Sequence, residues 1–234
     1  MLLVNIKNIL NLIIKSLQKN LNMSLNYNRV AWFYDALSRI IFGKAIIRAQ
    51  TIYLPFIKPG DHIMIVGGGT GWILESIAKL YPKDLKITYI ESSVQMIKRA
   101  KKRTIAQNQV YFNNCLMEEF SDNIRFDVVI TAFLFDNFLD KKAEEVFKAI
   151  NQYLQSNALW LYSDFELNGK VWQKWLLKIM HFFFKILCRV EANKLPDTEK
   201  LFRGNNFTLK DQCNFFQGFI TAKAYISSFN NESI

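Results

Sequence analysis

Residues 63–71 read Ile-Met-Ile-Val-Gly-Gly-Gly-Thr-Gly, and no other stretch constrains the fold as tightly. Four apolar residues running into Gly67, Gly68, Gly69 and Gly71 predict a buried strand that ends in a tight turn, and residues 72–80 then carry apolar positions at helical spacing. Strand, glycine turn and helix in immediate succession make a nucleotide-type loop. Glycine is needed there because the backbone must turn with unusual dihedrals and let a ligand lie against bare amides at a helix N-terminus. Spacing then narrows the ligand. The dinucleotide fingerprint places glycines at the first, third and sixth positions, and the sixth position from Gly67 is Trp72, whose side chain would obstruct a pyrophosphate. A Gly-x-Gly-x-Gly pattern remains in Gly67, Gly69 and Gly71.

Twenty residues beyond Gly71, residues 85–90 predict another short strand, which ends in Glu91. A carboxylate at that tip can accept both hydroxyls of a ribose; capping the helix after Ser92 and Ser93 is the plainer alternative. On this loop, acid and strand order, residues 27–225 resemble the class I S-adenosylmethionine-dependent methyltransferases, most closely their ubiquinone/menaquinone-type small-molecule branch. The resemblance implies an α/β, doubly wound, Rossmann-like sheet of seven strands. Most strands run parallel and the last antiparallel, with helices on both faces and a helical lid. It implies S-adenosyl-L-methionine as cofactor, its methionine and ribose wrapped by Gly67, Gly68, Gly69 and Gly71 with Glu91 on the ribose. The segment from Tyr27 to Asp35, rich in aromatics, resembles the branch's entry segment, which folds over the cofactor. Tyr27 and Tyr34 are therefore lid candidates, since an aromatic face stabilises a sulfonium cation; ordinary helix packing is the competing reading. Two departures stand out. Residues 113–120 show Cys115, Leu116 and Met117 where the family has a Gly-Asp pair for the adenine, leaving that contact to backbone amides, Asn114 or Glu118. Ile65 stands where the family has an acid for the methionine amino end, leaving Glu75, a backbone carbonyl or Thr131 as substitutes.

Further along, residues 94–103 predict a basic helix, residues 110–112 a strand, and residues 126–131 a fourth strand. Ligands in such sheets sit beyond strand C-termini, so Thr131 and Phe133 border the cofactor. Asp136 follows where the family places substrate-facing residues. After a helix over residues 141–154, a strand over 158–162 leads to Asp164 at its tip, a position that suits either substrate contact or a cap. Residues 170–190 predict a helix with a basic stripe at Lys174, Lys178, Lys185 and Arg189. Its other face holds Trp172, Trp175, Leu176, Ile179, Phe183, Ile186 and Leu187. That helix suits a core contact, closure over a greasy substrate, or a membrane interface. His181 lies on it, as a general base or a structural residue. Tyr34, Asp136, Asp164 and His181 are the catalytic candidates. Residues 207–216 and 219–227 predict the closing hairpin.

Length and composition bound the rest. The 234 residues are half apolar, which supports a single domain over residues 23–234, with lid segments about residues 27–55 and 170–191. A formal net charge of +10 permits an anionic partner without naming one. No Asn-Pro-Pro-Tyr, Asp-Pro-Pro-Tyr or Pro-Cys motif occurs, so nucleic acid is not the expected partner. Cys115, Cys188 and Cys213 are far apart and two histidines form no pair, so no metal is expected and a reducing cytoplasm fits. Residues 1–22 predict an amphipathic helix with three readings: a membrane-surface helix, a cover for the site, or an extension upstream of Met23. The expected activity is methyl transfer to a lipophilic or aromatic small molecule by a monomer or homodimer, with peripheral contact at the inner membrane face. An inactive cofactor-binding scaffold is the alternative, and a nicotinamide-dependent reductase a third reading that Trp72 opposes.

Overall fold

The computed structural model describes residues 41–188 and 194–228, the side chains of residues 181–188 excepted. Seven strands form one sheet: β1 (His62–Val66), β2 (Lys86–Ile90), β3 (Gln109–Asn113), β4 (Phe126–Ala132), β5 (Leu154–Phe165), β6 (Phe207–Phe215) and β7 (Ile220–Ser227). They lie in the order β3-β2-β1-β4-β5-β7-β6. The pairs from β3 to β5 are parallel, and β7 is the reversed strand, antiparallel to both β5 and β6.

Alternation along the central strands serves two cores, because successive side chains of a strand point to opposite faces. Ile63, Ile65, Val128, Ile130, Leu159 and Leu161 face one core. It is covered by the helices α1 (Ala45–Thr51), α2 (Trp72–Leu80), α3 (Val94–Ala100) and α5 (Val171–Cys188). Met64, Val66, Val129, Trp160 and Tyr162 face the other, covered by α4 (Asp140–Asn151) and α6 (Thr198–Gly204). In α4 the buried residues Ala143, Val146, Phe147 and Ile150 recur at helical spacing and form one stripe. An aromatic stack fills the α4 side: Phe147 lies on Trp160 at 4.7 Å, and Phe202 on Tyr225 at 3.8 Å. Each such ring buried contributes about 1.5–3 kcal/mol of transfer free energy.

Several boundaries differ from the sequence expectation, each for a local reason. Within the expected lid segment, the helical residues 41–42 break at Gly43, whose φ of +55° is left-handed, and helix resumes as α1. The predicted helix over 94–103 ends at Ala100, and β5 is far longer than residues 158–162. The α6 turn has no counterpart in the sequence reading, because only Phe202 of its seven residues is buried and no stripe repeats. Its N-terminus is fixed by Asp197, whose carboxylate accepts from the Lys200 amide at 3.0 Å. In α5 the buried residues described are Gln173, Leu176, Leu177 and Met180, whereas Trp175, expected on the apolar face, is 62% exposed.

Candidate functional site

Strand order reverses between β1 and β4, and the two C-termini splay there into a cleft. Its floor is the glycine turn at Gly67, Gly68 and Gly69, and its walls include Ile46, Gln50, Trp72 and Phe133. Gly67, Gly69 and Gly71 hold φ values of +66°, +60° and +76°, which side-chain-bearing residues rarely adopt. Gly68 is required for a different reason. A Cβ there would lie 2.3 Å from the ring of Tyr89, which is fully buried under the turn and donates its hydroxyl to the Gly69 carbonyl at 2.9 Å. Arg103 secures the far side, donating Nε–H to the Thr70 carbonyl at 2.9 Å and pairing with Glu75 at 3.4 Å.

The amides of the turn are less bare than expected. Gly67 donates to the Ile90 carbonyl, Gly71 to the Gly68 carbonyl, and Gly69 to the Glu91 carboxylate at 3.0 Å. Glu91 therefore stands at the tip of β2 with one oxygen on the Gly69 amide and the other on the Ser93 amide at 2.8 Å. In that geometry the carboxylate ties the loop to the start of α3. A carboxylate has about four lone-pair sites, so two amides leave acceptor capacity on both oxygens. Burial pushes its pKa up from the ordinary 4.5, and the Ser93 and Gly69 amides pull it back.

Beside Glu91, Asn114 donates its amide hydrogens to the Glu91 and Ser92 carbonyls at 2.8 and 2.9 Å, which turns its side-chain oxygen away from them. Glu118 is engaged with Lys142. Leu116 is exposed and Met117 is buried in the α4-side core, so Met117 can border a ligand through its backbone only. Across the cleft Thr131 is buried, and its hydroxyl accepts from the Trp160 indole at 2.8 Å on the α4 side of the sheet. Phe133 ends β4 with a φ of +52° and rests its ring 4.9 Å from Phe165.

The candidate acids Asp136 and Asp164 lie under that same turn. Asp164 accepts from the Phe135, Asp136 and Phe165 amides at 3.0, 3.3 and 2.8 Å, which is the geometry of a cap. Burial nonetheless pushes its pKa up to about 7 against those three donors. Asp136 is held well above the carboxylate range, by burial first and then by the Asp164 charge. Asn137 donates to Asp136 and to the Phe133 and Leu134 carbonyls. The acids thus position the strained turn that carries Phe133. His181 falls within α5 with its side chain outside the description, and Tyr27, Tyr34 and residues 1–22 lie outside the described residues.

Sequence reasoning missed Gln50, Tyr89 and Arg103. Ile46 and Gln50 are four apart and so share one helix face. The signal for Gln50 was there: a polar residue on the face of α1 that also carries Ile46.

A family model described as a methyltransferase domain matches residues 64–159, which run from β1 into β5 and include the glycine turn, Glu91 and Phe133. Over those residues the chain is similar to a methyltransferase domain. The C-methyltransferase UbiE of ubiquinone/menaquinone biosynthesis from Wigglesworthia glossinidia brevipalpis is 30% identical over 138 residues, covering 56% of this chain and 55% of that protein. The chain thus spans about half the length of that curated relative. Among solved structures, the N-methyltransferase NodS from Bradyrhizobium japonicum shares the fold with a TM-score of 0.56 at 11% identity, covering 79% of this chain and 93% of NodS. The 1,6-didemethyltoxoflavin-N1-methyltransferase from Burkholderia thailandensis, solved with that substrate and S-adenosylhomocysteine, gives 0.59 at 14% identity over 86% and 85%.

S-adenosylmethionine is the cofactor the matched domain family implies, and two features of the glycine turn are compatible with it. A Cβ built on Gly69 meets nothing within 4 Å, so the turn is open on the side where the cofactor would lie, and Glu91 has acceptor capacity to spare. At the methionine end the fit takes another form. Ile65 is buried on the α2 side, Glu75 is paired with Arg103, and the Thr131 hydroxyl is held by Trp160, whereas Gln50 is a side-chain amide among the residues that line the cleft.

Proposed function

We propose that the protein is an S-adenosylmethionine-dependent methyltransferase acting on an apolar small-molecule acceptor. The observation that carries this reading is the Glu91 carboxylate docked on the amide of Gly69, a residue that lines the cleft. Glu91 would accept the ribose hydroxyls, the side-chain oxygen of Asn114 the adenine amino group with Leu116 against the ring, and Gln50 would hydrogen-bond the methionine end. When bound, the cofactor supplies an electrophilic methyl group on a sulfonium sulfur.

The chain's own contribution is position and dryness. Trp72 and Phe133 offer aromatic faces to the sulfonium, an attraction of about 0.5–2 kcal/mol each. Ile46, Ile73 and Ile130 keep water from the reacting atoms. Holding donor and acceptor in line supplies up to about 7–11 kcal/mol without any covalent step. Among the described residues the cleft walls carry no carboxylate and no histidine. That favours an acceptor needing no strong base, such as an ionisable hydroxyl or an electron-rich aromatic carbon.

Calorimetric titration with S-adenosylmethionine and S-adenosylhomocysteine, on the native chain and on Glu91→Gln and Glu91→Ala, tests the reading. Binding that either substitution weakens at least tenfold, about 1.4 kcal/mol, is the expected result. No binding to the folded native chain would refute it.

A further inference from the structure

Helix α5 presents to solvent a stripe that its buried face does not explain. Val171, Lys174, Trp175 and Lys178 are spaced i, i+3, i+4 and i+7, so they share one face, and all four are exposed. Val171 is 70% exposed and Trp175 62%, while the opposite face packs Leu176, Leu177 and Met180 into the core. The Lys178 ammonium lies 5.9 Å from the Trp175 ring centroid. Immediately before the helix, Leu167 is also exposed, and Lys170 is exposed with its ammonium on the Gln217 carbonyl. Residues 171–188 contain no Asp or Glu.

A tryptophan and a valine among lysines, without a counter-charge, match a surface that is apolar and anionic at once. A lipid headgroup region offers both, since indole rings settle at the interface and lysines are drawn to an anionic leaflet. No helix among the described residues is long and apolar enough to cross a membrane, so α5 would lie on the surface. We infer that the exposed face of α5 docks the protein on anionic membranes.

The fold connects this face to the cleft. Phe133 on the cleft wall meets Phe165 at 4.9 Å, Phe165 meets Phe219 at 5.0 Å, and Phe219 meets Trp172 in the first turn of α5 at 5.7 Å. These packed core rings couple the docking helix to the cleft wall, so an apolar acceptor held in the bilayer would lie near the cleft, which is the part of the inference that rests on the proposed function. Docking itself does not depend on it.

Vesicle flotation of the full 234-residue chain tests the docking without cofactor or acceptor, and so separately from the titration above. Vesicles of phosphatidylcholine alone are compared with vesicles that also contain phosphatidylglycerol. The native chain should float with the anionic vesicles only. Lys174→Glu with Lys178→Glu should cut binding at least about tenfold, and Trp175→Ala about threefold or more. Lys79→Glu with Lys83→Glu, a surface pair of equal charge change outside α5, should retain most of it. All three sites are exposed, and unchanged circular dichroism would confirm that the variants fold. Equal binding to neutral vesicles, or binding that survives the α5 substitutions, would overturn the assignment. Loss on charge reversal with no effect of Trp175→Ala would mark a general polyanion surface and would also overturn it.

Discussion

Replacing Asp164 with Asn should change how the protein's stability depends on pH, and the structure sets the size. Asp164 is 1% exposed, and burial raises its pKa from 3.8 to about 7. Between those values the folded state holds a proton that the unfolded state has released. Stability contributed by the group therefore falls as pH rises, with a slope of up to about 1.4 kcal/mol per pH unit. Across the window from about pH 4 to pH 7 the wild type should lose stability, at most about 4 kcal/mol, that Asp164→Asn does not lose, with Asp136 titrating as part of the same pair. The substitution has its own cost. An Asn oxygen can still accept from the Phe135 and Asp136 amides, but its NH2 group then faces the Phe165 amide, and an unsatisfied buried donor costs about 1–3 kcal/mol. The variant should thus be the less stable protein near pH 4 and close the gap, or overtake, by pH 8. Urea unfolding followed by tryptophan fluorescence across this range gives the difference curve, in which exposed carboxylates common to both proteins cancel. A difference constant to within about 0.5 kcal/mol from pH 4 to 8 would refute the buried-acid account, because a solvated Asp164 would titrate alike in both states.

Two further substitutions probe the cleft. Gly71→Ala and Gly69→Ala incur the same left-handed backbone penalty of about 1–2 kcal/mol, but at Gly71 the new Cβ also lies 2.6 Å from the Ala100 Cβ and 2.8 Å from its Cα, adding about 1–3 kcal/mol. Thermal unfolding should rank Gly71→Ala clearly below Gly69→Ala, and equal losses would contradict the packing described between the turn and α3. Gln50→Ala should weaken S-adenosylhomocysteine by about 2- to 13-fold, the worth of one neutral hydrogen bond, and leave 5′-methylthioadenosine, which lacks the amino-acid end, within twofold. Equal losses for both ligands would mean that Gln50 shapes the cleft without contacting the methionine end.

The difference between what could be read from the chain and what needed coordinates follows the range of the interactions. Gly67, Gly69 and Gly71 were legible because a strand, a left-handed turn and a helix follow each other within a few residues, and Glu91 because a short parallel strand ends there. Gly68 was legible as a glycine but not in its cause, since Tyr89 reaches it only through the parallel register of β1 on β2. Asp164 was placed correctly at a strand tip, yet its task depends on the Phe135 and Asp136 amides nearly thirty residues away in sequence. Trp175 leaves the buried face of α5 that Leu176 and Met180 share, and the fold buries the polar Gln173 there instead. Ile65 joins these threads. Its neighbours in the core include Ile63, Ile73 and Ile130, so a carboxylate in its place would be costly to ionise among apolar side chains and would stay charged only where a ligand's ammonium met it. The polar group left at that end of the cleft comes from α1, one layer out, where Gln50 needs no buried charge to meet both the amino and carboxylate groups of a methionine end.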